Sequence, residues 1–248
     1  MLKTELMRKL AIFLLKKISR LIYYIIPNEF KPLTKGEKLF LKLEDNYIDE
    51  AFNHFLEHYK KSLLFKTPVE IREYAVQTSL LNDDNKKYYY LEFGVAGGGS
   101  ANFFSKYVNK LYCFDSFEGL KEDWIGTFGQ VKGLYTQNKK IPKLRSNIET
   151  VVGWVEETVD VFLKKNNPKI NFVHFDLDTY SSTKFTLEKI KPYLVKNAIL
   201  IFDQLYGYVG WENGEYKALK EVFKDEEFKY LAFTIRDKSY DKAVIQIK

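Results

Sequence analysis

The chain has 248 residues, 46% hydrophobic and 17% aromatic, which is enough for one α/β domain with an appendage and an ample core. Its net charge is +6, with Lys+Arg 39 against Asp+Glu 33, and much of the excess lies in the first forty residues; no nucleic-acid partner is expected. The one cysteine, Cys113, excludes an internal disulfide and suits a reducing cytoplasm, and no repeat or low-complexity segment appears.

Leu6 to Ile26 reads as one helix stopped at Pro27. Leu10, Ala11, Leu14, Leu15, Ile18, Leu21, Ile22 and Ile25 fall on one face, and Arg8, Lys9, Lys16, Lys17 and Arg20 gather on the other. Lys16, Lys17 and Arg20 interrupt any run long enough to span a bilayer. The short apolar core Leu10–Leu15, with no small-residue cleavage site after it, does not make a signal peptide. Two readings remain: a basic amphipathic helix on an anionic membrane surface, or a helix packed on the domain or on a second subunit, with packing favoured. Asn46 to Phe65 is a second helical stretch. Its His54-Phe-Leu-Glu-His58 has the form of a zinc-peptidase pattern. The only other histidine is His174, so a solvated helix face is the better reading. Thr67 to Leu81 is a further helix, leading into the polar turn Asn82-Asp83-Asp84-Asn85.

The aromatic and apolar run Tyr88 to Phe93 has the character of a buried strand. It breaks into Gly94, Gly97, Gly98 and Gly99 and resumes as a helix over Ala101–Val108. Strand, glycine turn and helix make a nucleotide site: glycine lets the backbone approach the ligand, and the helix start offers unpaired N–H groups. Leu111–Asp115 is the next strand, and Asp115 lies 21 residues (115 − 94) after Gly94, where a carboxylate can accept bonds from ribose hydroxyls. The NAD fingerprint G-x-G-x-x-G fails: from Gly97 it reaches Asn102, and from Gly94 it meets Ala96. Glu92, two residues before Gly94, suits instead a nucleotide with a cationic amino-acid end, and S-adenosylmethionine (SAM) has one.

Asp115 to Gln130 is long for a connection, and it carries Phe117, Trp124 and Phe128 among acids and glycines. It reads as a site wall or lid rather than a disordered loop. Glu149–Gly153 is a short strand, followed by Trp154 and a helix over Val155–Lys165. Asn171–Asp178 is a strand ending in acids; Ser181 or Ser182 would cap the helix that runs to Leu194. Ala198–Asp203 is another strand, with Gln204 after it. Parallel strands place their carboxyl ends along one crevice, so Asp176 or Asp178, Asp203 and Gln204 are expected beside the glycine turn. Such oxygen donors suit Mg²⁺, Mn²⁺ or Ca²⁺ rather than zinc, unless the acids only cap helices. Phe228–Ile235 and Ala243–Lys248 read as two strands that supply an antiparallel end to the sheet.

Five blocks stand in order: Leu91-Glu-Phe-Gly-Val-Ala-Gly-Gly-Gly-Ser100, Phe114-Asp-Ser-Phe-Glu-Gly-Leu120, Val152-Gly-Trp-Val-Glu-Glu-Thr158, His174-Phe-Asp-Leu-Asp-Thr-Tyr-Ser-Ser-Thr183 and Ile201-Phe-Asp-Gln204. Over residues 88–225 the chain resembles a class I SAM-dependent methyltransferase. More narrowly it resembles the macrocin O-methyltransferase-like family, which methylates sugar hydroxyls of macrolides. The resemblance implies SAM on Glu92, Gly94, Ala96, Gly97, Gly98 and Ser100, on Asp115, Ser116 and Phe117, with Asp115 on the ribose, and beside Trp154. It also implies a divalent cation, Mg²⁺ or Mn²⁺, on Asp176, Asp203 and Gln204. Asp176 and Asp203 are 27 residues apart (203 − 176), as that metal site requires. There are departures. The third ligand is acidic in the family and is Gln204 here, which weakens the site. Lys121 stands where the family has Pro. The loop after Asp115 lacks the family's catalytic histidine, leaving Glu122 or Asp123, or the metal on Asp176, to activate the acceptor.

The expected fold is therefore α/β: a doubly wound, mostly parallel Rossmann-like sheet with an antiparallel C-terminal strand, residues 81–248, behind an N-terminal helical extension, residues 1–80. The expected function is metal-assisted O-methyl transfer to a hydroxyl of a sugar or other polyol, in the cytoplasm or peripherally on its membrane, with a homo-oligomer open. Two other classes remain: a glycosyltransferase, since Asp176-Leu-Asp178 has the D-x-D form, and a non-catalytic SAM-binding or membrane-associated module.

Overall fold

The computed structural model describes residues 2–25, 33–83, 87–235 and 241–248. Ile26, Pro27, Asp84 and Asn85 lie outside these, as do the side chains of Leu6 and Arg20. The chain divides into two units, Met1–Asp45 and Asn46–Lys248. The division falls earlier than the expected boundary near residue 80, because the helix before the glycine strand packs on the sheet. In the first unit, α1 (Leu2–Ile25) carries exposed Leu10, Leu14, Leu15, Ile18, Leu21 and Ile22. Among the described residues no helix is long and apolar enough to cross a membrane. The helix α2 (Lys35–Tyr59) runs from the first unit into the second, where its Phe55 is buried against Tyr206, Trp211 and Phe233.

The second unit is built on one eight-stranded sheet: β1 (Leu63–Phe65), β2 (Tyr89–Phe93), β3 (Leu111–Asp115), β4 (Ile148–Val152), β5 (Ile170–Phe175), β6 (Leu194–Tyr206), β7 (Phe228–Thr234) and β8 (Asp241–Ile247), in the order β1-β7-β8-β6-β5-β2-β3-β4. β8 is antiparallel to β6 and β7, and every other pairing is parallel. This is the expected Rossmann-like sheet with its antiparallel C-terminal end. Two elements differ from expectation. Leu63-Leu-Phe65 leaves the second helix and pairs with β7; a short apolar run has no period of its own, and its partner is remote in sequence. β6 is longer than Ala198–Asp203 because it is paired on both edges, by β5 and by β8.

The helices follow from local sequence. α3 (Pro68–Leu80) opens on a reciprocal capping box: Thr67 Oγ1 accepts the Glu70 N–H, and the Glu70 carboxylate accepts the Thr67 N–H. α4 (Gly99–Phe104), α5 (Val155–Asn166), α6 (Tyr180–Ile190) and α7 (Glu215–Val222) complete the set. The parallel register sets Cys113, Glu92 and His174 abreast on β3, β2 and β5. One residue later Phe114, Phe93, Phe175 and Phe202 stand abreast on the opposite face. Their rings stack across the strands, with centroids 4.6, 5.7 and 4.9 Å apart along the row. One face of the central sheet is thus aromatic and dry, while the other holds a buried polar row.

Candidate active site

A cavity of about 330 Å³ opens at the carboxyl ends of β2, β3, β5 and β6, where the topology of a parallel sheet places a ligand. Gly94, Val95 and Ala96 form one wall, Asp115, Ser116, Gly153 and Trp154 a second, and Asp176, Asp178, Thr179, Ser182 and Gln204 the far end. Gly94 has φ +87°, and a Cβ there would lie 1.8 Å from the Asp176 carbonyl oxygen, so no other residue lets β2 and β5 release their chains this close together. Gly98 needs its glycine as well, with φ +79° and Leu144 against its α-carbon. A Cβ on Gly97 or Gly99 would meet nothing within 4 Å, so the turn leaves open space beside it.

Asp115 fixes the turn. Its Oδ2 accepts the N–H groups of Val95 and Ala96 at 2.7 and 2.8 Å, and its Oδ1 that of Phe117 at 2.6 Å. Oδ2 is filled by two bonds, and Oδ1, with one, keeps a lone pair for a ligand. The loop after Asp115 is ordered by backbone bonds between Leu120 and Leu134 and between Trp124 and Gln130. It contributes Leu120, Lys121, Trp124 and Tyr135 to the cavity, and the Lys121 ammonium stands 5.7 Å over the Trp154 ring. It is a wall, as its aromatic content suggests.

Several expected residues lie elsewhere. Glu92 is fully buried beneath the floor rather than on a wall: its carboxylate takes the Nδ1–H of His174 at 2.9 Å and the Cys113 thiol at 3.6 Å. It points across the sheet because β5 offers a basic ring there. Phe117 packs into the core, and Gly97, Gly98 and Ser100 are not among the residues that line the cavity. Glu122 accepts a bond from Ser181, and Asp123 accepts the Lys132 N–H at 2.8 Å; neither lines the cavity, so neither is placed to receive a proton there. His54 and His58 stay on an exposed helix face, with His54 Nε2 against the Tyr216 hydroxyl at 2.6 Å.

The carboxylate end holds residues that sequence reading passed over. Both ring nitrogens of His174 face carboxylate oxygens, Glu92 at 2.9 Å and Asp203 at 3.2 Å, so both donate and the ring is an imidazolium. Burial opposes that charge, but the bonds to Asp203 and Glu92 outweigh it and raise the ring to about 9. Arg72 of α3 reaches Asp203 Oδ1 at 2.7 Å, and the buried Lys242 of β8 reaches Asp203 Oδ2 at 2.9 Å. Burial alone would raise Asp203; the His174 bond and the charges of Lys242 and Arg72 hold it well below the carboxylate range. Asp176 and Asp178 are different. Burial, then the charge of Asp203, raises Asp176 to about 6, and burial, then the charge of Asp176, raises Asp178 well above its ordinary value. Asp178 adopts φ +62°, which turns it into the cavity mouth.

The donor set does not fit the expected divalent cation. His174, Asp176 and Asp203 cluster closely enough for one. Yet both nitrogens of His174 are spent, Asp203 already faces Arg72, His174 and Lys242, and Gln204 presents its amide donor, not its oxygen, to Asp176 Oδ1 at 2.9 Å. Both oxygens of Asp203 and the amide nitrogen of Gln204 are thus engaged inside the protein, while the Gln204 Oε1 is buried without a hydrogen-bond partner. The nucleotide side does fit: a close-approach glycine on the cavity wall and an acid at the end of β3.

Residues 91–205 match the methyltransferase-domain family Methyltransf_24. No curated protein matches the chain. Among solved structures, the calicheamicin methyltransferase CalS11 is similar at 21% identity over 88% of this chain and 95% of that one, with a TM-score of 0.56. A ligand-free structure of the same protein, described as a TDP-rhamnose 3'-O-methyltransferase, is similar at 23% identity over 88% and 97%, with a TM-score of 0.52. The O-methyltransferase NovP is similar at 16% over 73% and 79%, with a TM-score of 0.50. At these identities the structures establish a shared fold.

Proposed function

We propose that the chain, whose residues 91–205 match a methyltransferase-domain family, is a class I SAM-dependent methyltransferase that transfers a methyl group to a hydroxyl of a sugar or other polyol. The observation that carries the acceptor reading is the cavity itself: a nucleotide wall at Gly94–Ala96 and Asp115 faces two partly exposed carboxyls, Asp176 and Asp178. Gly94, Val95, Ala96, Asp115, Ser116 and Trp154 would hold the cofactor. SAM supplies an electrophilic methyl on a sulfonium when bound.

The protein must orient the acceptor and take its proton. An alcohol is a poor nucleophile at neutral pH, so a base within reach is worth roughly 10²–10⁴-fold. Asp178 is that base. It lines the cavity, and burial with the charge of Asp176 raises its pKa above that of an ordinary aspartate, which makes its carboxylate the stronger base. Asp176, Thr179 and Ser182 offer hydrogen-bonding groups that would fix a vicinal pair of hydroxyls. Trp124 and Leu120 exclude water from the opposite wall. The similarity to a protein described as a TDP-rhamnose 3'-O-methyltransferase supports nucleotide-linked deoxysugars as the first acceptors to try.

The test has two stages. Calorimetric titration with SAM is expected to show micromolar binding, and its absence would remove the reading. Transfer of labelled methyl to a panel of nucleotide sugars is then compared between the wild type and Asp178→Asn. A fall of roughly 10²–10⁴-fold with unchanged SAM affinity is expected. Equal rates would show that Asp178 takes no proton.

A further inference from the structure

Asp203 is met by three basic side chains from distant parts of the chain: Arg72 on α3, His174 on β5 and Lys242 on β8. We infer that Lys242 and Arg72 occupy, from within the protein, the electrostatic place of a divalent cation, and that this chain binds no such cation at the Asp176–Asp203–Gln204 corner. The inference deepens the methyltransferase reading and rests on it for its meaning, though not for its test.

Four features argue for it. The Lys242 ammonium is buried, only 4% exposed, and contacts both the Asp203 carboxylate at 2.9 Å and the Asp203 carbonyl at 3.3 Å. A buried ammonium is retained only where it is paired, so this contact is built into the fold. The Arg72 guanidinium takes Oδ1, the oxygen that His174 also faces, so both oxygens of Asp203 meet cations before any ion arrives. Gln204 completes the exchange. An acid at that position would add a negative charge suited to an ion; the amide instead donates to Asp176 Oδ1 at 2.9 Å and stands 3.4 Å from Asp203 Oδ2. The Gln204 Oε1, buried and unpartnered, takes no part in these contacts, and an ion placed on Asp203 would sit beside the Lys242 ammonium and the Arg72 guanidinium, within 2.9 Å of the same carboxylate. In this chain the Asp203 charge is already compensated by Lys242 and Arg72, and the neutral amide of Gln204 adds no further acid to attract an ion.

The experiment uses the full chain and Mn²⁺ alone as probe, followed by electron paramagnetic resonance, with SAM titrated by calorimetry in the same buffer. The wild type is expected to show no saturable Mn²⁺ binding into the millimolar range, and a SAM affinity that is the same with Mg²⁺ and with EDTA. The double variant Lys242→Met, Gln204→Asp removes the ammonium and restores the acid. It is expected to gain Mn²⁺ affinity by ~10-fold or more. Stoichiometric Mn²⁺ binding by the wild type, lost in Asp203→Asn, would overturn the inference whether or not the double variant folds. A folded double variant that still ignores Mn²⁺ would overturn the role given to Lys242. Failure of the methyltransferase reading shows separately, as absence of SAM binding in the wild type.

Discussion

His174 shows how much one side chain can carry. It is the penultimate residue of a strand that is buried along its whole length, and there it bridges two acids. Its pKa in the fold is raised above 6.5, to about 9, so its contribution to stability is complete below pH 6.5 and is lost as the pH rises through 9. The shift corresponds to about 3 kcal/mol. Urea unfolding of the wild type is expected to weaken across that window, and the variant His174→Gln, less stable throughout, should lose that part of the slope; an identical slope in both would refute the assignment. Gly94 is the other residue with no substitute. In Gly94→Ala the new methyl meets the Asp176 carbonyl and a backbone held at φ +87°. The variant should lose SAM binding and several degrees of thermal stability, read by calorimetry and circular dichroism.

At the scale of the element, α3 does more than cover the sheet. It delivers Arg72 to Asp203 across 131 positions of sequence, so the cap that starts α3 bears on the site. Thr67→Ala removes the side-chain acceptor for the Glu70 N–H and should cost about 1 kcal/mol in chemical denaturation. A loss well below that would mean the helix is held by packing alone. The loop that follows Asp115 acts as an element in its own right. Trp124 is buried in the main core and also lines the cavity, so the wall is tied to the sheet rather than hanging over it. Trp124→Ala should cost about 3–5 kcal/mol, measured by urea unfolding, and should weaken acceptor binding with it.

For the whole molecule, ligand and fold are linked. SAM at 100 times its dissociation constant should stabilise the native state by about 2.7 kcal/mol, a thermal shift of roughly 5–10 °C for a chain of this size. Mg²⁺ at millimolar concentration should produce no shift if the Asp203 corner is closed to it. Both are read in one series of thermal melts.

The sequence by itself determined the architecture of the second unit. Apolar strand runs at Tyr89–Phe93, Leu111–Asp115 and Ile170–Phe175, glycines at their ends and amphipathic helices between them are local signals, and local signals survive in a linear text. It determined Asp115 and Asp176 as cavity residues for the same reason, since each ends a strand whose direction is set by the topology. Only the tertiary structure decided what the buried acids do. Glu92 faces His174 because β2 and β5 pair in that register, and Asp203 meets Lys242 because β8 returns antiparallel alongside β6. Such pairings join residues tens of positions apart, and no periodicity along the chain records them. The fate of a carboxylate, to hold an ion or to be held by an ammonium, depends on what lies within about 4 Å of it, where Coulombic attraction is decided.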